Sequence, residues 1–171
     1  MVTPRLIVFT DRRQAARPLD EVVNRAIDGG ARVFVLREDD LPAAERAELA
    51  ARLGAMVAGA GGRLVLEEGP ELRKCHGLAD LVGAAEDGVD LATLSPIYPT
   101  RSKPGYGPPL GLAGLGRMAL AVSIPVYALG GVDSPARVRD CLDQGAAGVA
   151  VMGAVMRADD PARFVKELLT A

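Results

Sequence analysis

The residues best suited to chemistry in this chain are concentrated between Leu91 and Gly105, where an apolar run passes directly into a loop of hydroxyls and cations. Thr100 and Ser102 supply hydroxyls, Arg101 and Lys103 supply charge, and Pro99 and Pro104 stiffen the frame. Such a loop suits a small anion. Two later runs, Val126 to Gly131 and Gly148 to Gly153, are also continuous and apolar and also end in glycine, as parallel strands covered on both faces do. Gly130, Gly131 and Gly153 would let backbone N–H groups come close to a phosphate. Ordinary turn glycines are the alternative for any one run, but a weaker account of the series.

His76 is the single histidine of the chain, and an imidazole can take and return a proton near neutral pH. In a strand ending there, neighbours point to opposite faces, so Lys74 shares the face of His76 while Cys75 turns away as a small buried residue. That geometry argues against a Cys75–His76 nucleophile–base pair. Arg37 and Asp39 share a face in the same way and are expected to pair. Glu67 and Glu68 could serve as a general base or a metal site but read first as a solvated rim, and Arg12 and Arg13 could add charge at the barrel mouth but read first as a solvated turn.

Strands alternate with helices along the whole chain. Strand-like runs sit at Arg5–Thr10, Arg32–Leu36, Arg63–Leu66, Val89–Leu94, Pro125–Leu129 and Gly148–Met152, with a weaker one at Glu71–Cys75. Helical stretches at Leu19–Asp28, Pro42–Val57, Leu78–Glu86, Leu112–Val122, Pro135–Asp143 and Pro161–Leu169 separate them. Ser134-Pro135 and Asp160-Pro161 pair a capping residue with proline at the first helical position. Such alternation demands a parallel sheet, as a (β/α) barrel or a doubly wound sheet. No G-x-G-x-x-G follows the first strand, and glycines after the last two strands favour the barrel, whose phosphate site commonly lies there. A full barrel takes about 200 residues or more. About one βα unit is therefore missing here.

With 171 residues, 49% of them hydrophobic, the chain suits one domain (residues 1–171) with a substantial core. A net charge of −2 without a dense basic cluster argues against nucleic acid. No apolar run approaches the roughly 20 residues of a membrane span. The first residues lack the layout of a signal peptide, so a cytoplasmic protein is expected. Cys75 and Cys141 make neither metal-ligand spacing nor a disulfide framework.

Several motifs resemble the thiamine phosphate synthase/TenI family. They are Ser95-Pro-Ile-Tyr-Pro-Thr-Arg-Ser-Lys103, Leu110-Gly-Leu112, Ile124 to Gly131 and Gly145 to Met152, together with Val35-Leu-Arg-Glu-Asp39 and Cys75-His76. The resemblance covers nearly the whole chain and fails between Leu66 and Lys74. It implies a TIM-type (β/α) barrel, here shortened by about one unit. It also implies a phosphate site on Gly130, Gly131 and Gly153, with Arg37, Thr100, Ser102 and Lys103 contributing. Synthases of the family join a pyrimidine methyl pyrophosphate to a thiazole phosphate, with Mg²⁺ at the departing pyrophosphate. This chain departs from that pattern. Asp39 stands where the family has lysine, Lys74 where it has serine, and Gly153 where it has serine after the last strand. Glu67-Glu68 replaces Asn-Asp, and the segment with a second metal-binding Asp is absent.

TenI-type members include thiazole tautomerases, which move a proton without a metal, and His76 matches their histidine. The resemblance thus ranks a thiazole tautomerase first, with His76 as acid/base, a small phosphorylated thiazole as ligand and no cofactor. Thiamine phosphate synthase with Mg²⁺ is the alternative, and a non-catalytic phosphate-binding remnant the third reading. Strand edges left by the missing unit make a homodimer across that side the expected assembly.

Overall fold

The computed structural model describes residues 4–67, 70–100 and 108–171. Its strands are β1 (Leu6–Phe9), β2 (Val33–Leu36), β3 (Arg63–Leu66), β4 (Leu72–Cys75), β5 (Leu91–Leu94), β6 (Val126–Leu129) and β7 (Gly148–Val151). The helices are α1 (Leu19–Asp28), α2 (Ala43–Gly59), α3 (Leu78–Glu86), α4 (Gly111–Ala119), α5 (Pro135–Asp143), α6 (Gly153–Met156) and α7 (Pro161–Leu169). All strand pairs are parallel, and the seven-stranded sheet runs in the order β3-β2-β1-β7-β6-β5-β4. The sheet is a curled, incomplete TIM-type barrel covered by helices. The weak run at Glu71–Cys75 is a strand in its own right, β4.

Each helix forms because one stripe of it is apolar. In α1 the buried residues are Leu19, Val22, Val23, Ala26 and Ile27, the spacing that keeps one face of a 3.6-residue turn toward the sheet. The two cap-and-proline signals are real: Ser134 Oγ accepts from Arg137 N at 3.4 Å, and Asp160 Oδ1 from Arg163 N at 3.2 Å. Each leaves one fewer unpaired donor in the first turn of its helix.

Two cores follow from the two-residue period of the strands. Leu6, Val8, Phe34, Leu36, Cys75, Ala92, Leu94, Val149 and Val151 face the helices within one large buried cluster. The alternate residues Ile7, Phe9, Val33, Val35, Val65, Leu72, Leu91, Tyr127 and Ala150 form a second cluster inside the curl of the sheet. Extending these inner rows past the strand ends brings Arg37, Glu67, Lys74, His76 and Ser95 to the barrel mouth.

The missing unit lies where the resemblance fails. β3 and β4 are the two edges of the sheet, and only five positions of the sequence separate the end of one from the start of the other, although a parallel crossover usually needs a dozen residues or more. Ion pairs bridge the interval instead. Lys74 Nζ meets Glu67 Oε1 at 2.8 Å near the mouth, and Arg63 meets Asp90 at 3.8 Å at the opposite end of the strands. No helix among the described residues is long and apolar enough to cross a membrane.

Candidate functional site

The inner rows open into a cavity of about 1120 Å³ at the C-terminal ends of the strands, the end on which barrel enzymes carry their sites. Arg37, His76, Thr100, Gly130, Gly131 and Gly153 all line it, so it gathers most of the residues singled out from the sequence. Ser102 and Lys103 lie outside the described residues, as do Arg101 and Glu68.

At one side stand the glycines. Gly130 and Gly131 have φ of 98° and 70°, a region that favours glycine. A Cβ on Gly130 would lie 3.0 Å from Pro96 Cα, and one on Gly131 only 2.6 Å from Pro99 O and Tyr98 Cβ. The first demand on these glycines is therefore the close approach of the 96–99 segment, held by Ile97 N to Leu129 O and Tyr98 N to Gly130 O, both 3.0 Å. Arg137 braces the same loop. It donates to Gly131 O at 2.6 Å, pairs with Asp133 at 3.0 Å and stacks on Tyr98, 4.6 Å from the ring centre. At Gly153 the neighbour is different: a Cβ there would run into the Arg157 guanidinium.

Facing the glycines is a charged cluster at the ends of β2, β3 and β4. Arg37 does not pair with Asp39, as its strand position suggests. It lies 3.4 Å from Asp11 and 3.6 Å from Glu67, because the curl of the sheet brings neighbouring strand ends closer than residues two apart on one strand. Nor is Glu67 a solvated rim residue. Only 7% of it is exposed, and Oε2 is buried without a hydrogen-bond partner among the described residues. Burial raises its pKa above the ordinary carboxylate value, with nearby Asp39 adding to the rise and Lys74 opposing it.

Arg12 is likewise more than a solvated turn. Its guanidinium clamps Asp40 with two bonds of 2.7 Å, and its backbone N–H and side chain both reach buried Glu38 at 3.0 Å. These bonds tie the loop after β1 to the loop after β2, and Arg12 holds the Asp40 carboxyl down at about 2.

His76 and Lys74 both line the cavity, while Cys75 is fully buried toward the helices. Burial pushes the Cys75 thiol up to about 11, far from thiolate chemistry. Nδ1 of His76 lies 3.0 Å from the Ser95 carbonyl oxygen. A carbonyl only accepts, so in the neutral ring Nδ1 carries the proton and Nε2 the lone pair. Ser95, Asp39, Lys74, Glu67, Arg137 and Arg157 complete the charged and polar lining. Arg157 and Arg137 lie on or beside helices rather than in a motif, and only their placement in space connects them with the site.

Parallel strands curled around an inner core, with ionisable residues at their C-terminal ends, define an α/β protein of the TIM-barrel class. The chain belongs to the thiamine monophosphate synthase family. The family's sequence profile matches residues 73–155. A Geobacter sulfurreducens relative is 36% identical, with 96% of this chain and 92% of that one aligned. The thiamine-phosphate synthases of Roseiflexus castenholzii and Moorella thermoacetica are 31% and 30% identical, covering 94% and 96% of this chain and 85% and 94% of their own. Among solved structures, thiamine phosphate pyrophosphorylase from Pyrococcus furiosus superposes with a TM-score of 0.86 at 25% identity, over 99% of this chain and 95% of that one.

Proposed function

We propose that this chain is a thiamine-phosphate synthase, which joins a pyrimidine methyl pyrophosphate to a thiazole phosphate. The thiazole nitrogen forms a bond to the pyrimidine methylene carbon as the C–O bond breaks, and the electron pair leaves with pyrophosphate. The observation that carries this reading is the cluster of Arg37, Lys74, Glu67 and Asp39 at the mouth, across the cavity from the glycines. A tautomerase needs one phosphate anchor and one proton carrier. A synthase needs two anionic ends, and charge must be stabilised where pyrophosphate departs. The names of the relatives support the same order, which places the synthase ahead of the tautomerase ranked first from sequence.

Arg37 and Lys74 would hold the pyrophosphate, with Lys74 supplying the cation that Asp39 removes from the end of β2. The residues present fit a Mg²⁺ ion: Glu67 has a buried, unpartnered oxygen, and Asp39 is close enough to raise its pKa. Mg²⁺ typically takes one or two carboxylates together with substrate phosphates, so Glu67 and Asp39 would hold it, and its charge would help neutralise the leaving pyrophosphate. The backbone around Gly130, Gly131 and Gly153 would receive the thiazole phosphate. The His76 ring, anchored to Ser95, would line the space between the two ends.

The test is incubation of the full chain with both substrates, with Mg²⁺ or with EDTA, measuring thiamine phosphate and pyrophosphate. Mg²⁺-dependent formation of both is expected. Arg37→Ala and Lys74→Ala should each lower kcat/KM by roughly 100-fold. If the chain instead isomerises a carboxythiazole phosphate without metal, and His76→Gln abolishes that activity, the tautomerase reading replaces this one.

A further inference from the structure

Three of the four cations that line the described cavity are already matched by carboxylates. Arg37 pairs with Asp11 and Glu67, Lys74 with Glu67, and Arg137 with Asp133. Arg157 has no carboxylate partner among the described residues; its side chain donates to the Oε1 of Gln14. Gln14 is itself fixed, because its amide donates to Asp11 Oδ2 at 2.7 Å. The Arg157 guanidinium is thus held at one corner and keeps further N–H donors and an uncompensated charge at the cavity wall.

Its position depends on a glycine. Arg157 follows the short helix α6, and its side chain folds back so that the guanidinium covers Gly153, in the space any side chain at 153 would fill. Gly153 does not need to be glycine for its backbone, since its φ lies outside the positive region. The absent Cβ makes room for Arg157. A planar fork of charged donors, placed where β7 delivers the chain to the cavity, matches the oxygens of a phosphate monoester.

We propose that Arg157 is the phosphate-binding cation of this site, admitted by Gly153 and oriented by Gln14, and that it selects the monophosphate substrate. This rests on the synthase reading for the identity of that substrate, the thiazole phosphate. It divides the cavity into two anion sites, with Arg157 serving the monophosphate and Arg37 with Lys74 serving the pyrophosphate. The shared contact to Asp11, from Gln14 on one side and Arg37 on the other, links the two.

The experiment compares wild type, Arg157→Met, Gly153→Ala and the double variant. Charge-assisted hydrogen bonds to phosphate are strong enough that Arg157→Met should raise KM for thiazole phosphate on the order of 10- to 100-fold. KM for the pyrimidine pyrophosphate should stay within about twofold, and the melting temperature should hold, because Arg157 is exposed and its side chain makes a single hydrogen bond among the described residues. Gly153→Ala should reproduce the effect by displacing the guanidinium, and the double variant should lose nothing further, as coupled residues do. Equal rises in both KM values, an unchanged KM for thiazole phosphate, or additive losses would overturn the proposal. Titration calorimetry with inorganic phosphate gives a readout that does not need turnover. If the chain proves inactive as a synthase but phosphate binds wild type and not Arg157→Met, the synthase reading fails and the assignment of Arg157 stands. If inorganic phosphate binds both equally, the assignment fails.

Discussion

Glu67 carries the unusual electrostatics of the mouth. A carboxyl that is 7% exposed, with one oxygen unpartnered and Asp39 nearby, is held in an environment that favours its protonated form. Its folded pKa is raised, so the stability it contributes is present below the ordinary carboxylate value and lost as pH rises through the folded value. Glu67→Gln removes that loss. The variant should melt at a higher temperature than wild type near pH 8, and the difference should vanish near pH 4, as thermal melts across about that range will show. A divalent cation bound at Glu67 favours the ionised form, so Mg²⁺ should narrow the gap at high pH. If Glu67→Gln melts lower than wild type near pH 8, the contacts with Lys74 and Arg37 outweigh the burial of the charge. The partner Lys74 has a side chain 43% exposed, and so open an ion pair is weak, which is why the opposite sign is expected.

The elements were largely legible in the sequence, because the signals for them are local. Apolar runs bounded by glycine and proline became strands within a residue or two of their expected ends, and Ser134-Pro135 and Asp160-Pro161 began helices as their chemistry requires. What was not legible depends on curvature. Whether Arg37 meets Asp39 or Asp11 is decided by how far the sheet curls, and whether Glu67 is rim or interior by how closely Arg37 and Lys74 of other strand ends pack around it. Arg157 carries no sequence signal, because its place against the cavity depends on an empty Cβ position at Gly153. The strand-end glycines illustrate the same limit. Gly130 and Gly153 look alike in sequence, yet the first has φ of 98° and backbone at 3.0 Å from a Cβ, while the second faces the flexible end of a side chain. Gly130→Ala should therefore destabilise the protein by about 1–3 kcal/mol, and Gly153→Ala by less than about 1 kcal/mol. Urea unfolding midpoints of the two variants will separate them. Equal losses would mean that the turn after β6 relaxes freely. The contrast also makes Gly130 a poor probe of phosphate binding, because its substitution damages the turn as well as the site.

At the scale of the whole molecule, the consequence of the missing unit is an open side. β3 and β4 each pair with one neighbour, so each presents backbone N–H and C=O groups that an eighth strand would satisfy in a full barrel. Leu66 at the end of β3 is 55% exposed, and Leu78 and Val82, one turn apart on the helix after β4, are 45% and 39% exposed. Among the described residues, ion pairs bridge the interval, and exposed ion pairs exclude water poorly. A second copy of the chain would supply both the apolar cover and the strand-edge pairing, so a homodimer across this side is the expected state in solution. Light scattering should give twice the chain mass at tens of micromolar, on the order of the concentrations at which modest interfaces assemble. Leu78→Glu with Val82→Lys should return it to one chain without lowering the melting temperature of the fold. Hydrogen exchange supplies the local check. In the dimer the amides of β3 and β4 should approach the protection of β1 and β7 at the centre of the sheet, and in the monomeric variant they should exchange fastest among the strands. A wild-type chain that stays monomeric, with β3 and β4 exchanging fast at every concentration, would mean that the gap is left to water and that the ion pairs at Glu67 and Arg63 suffice to hold its edges.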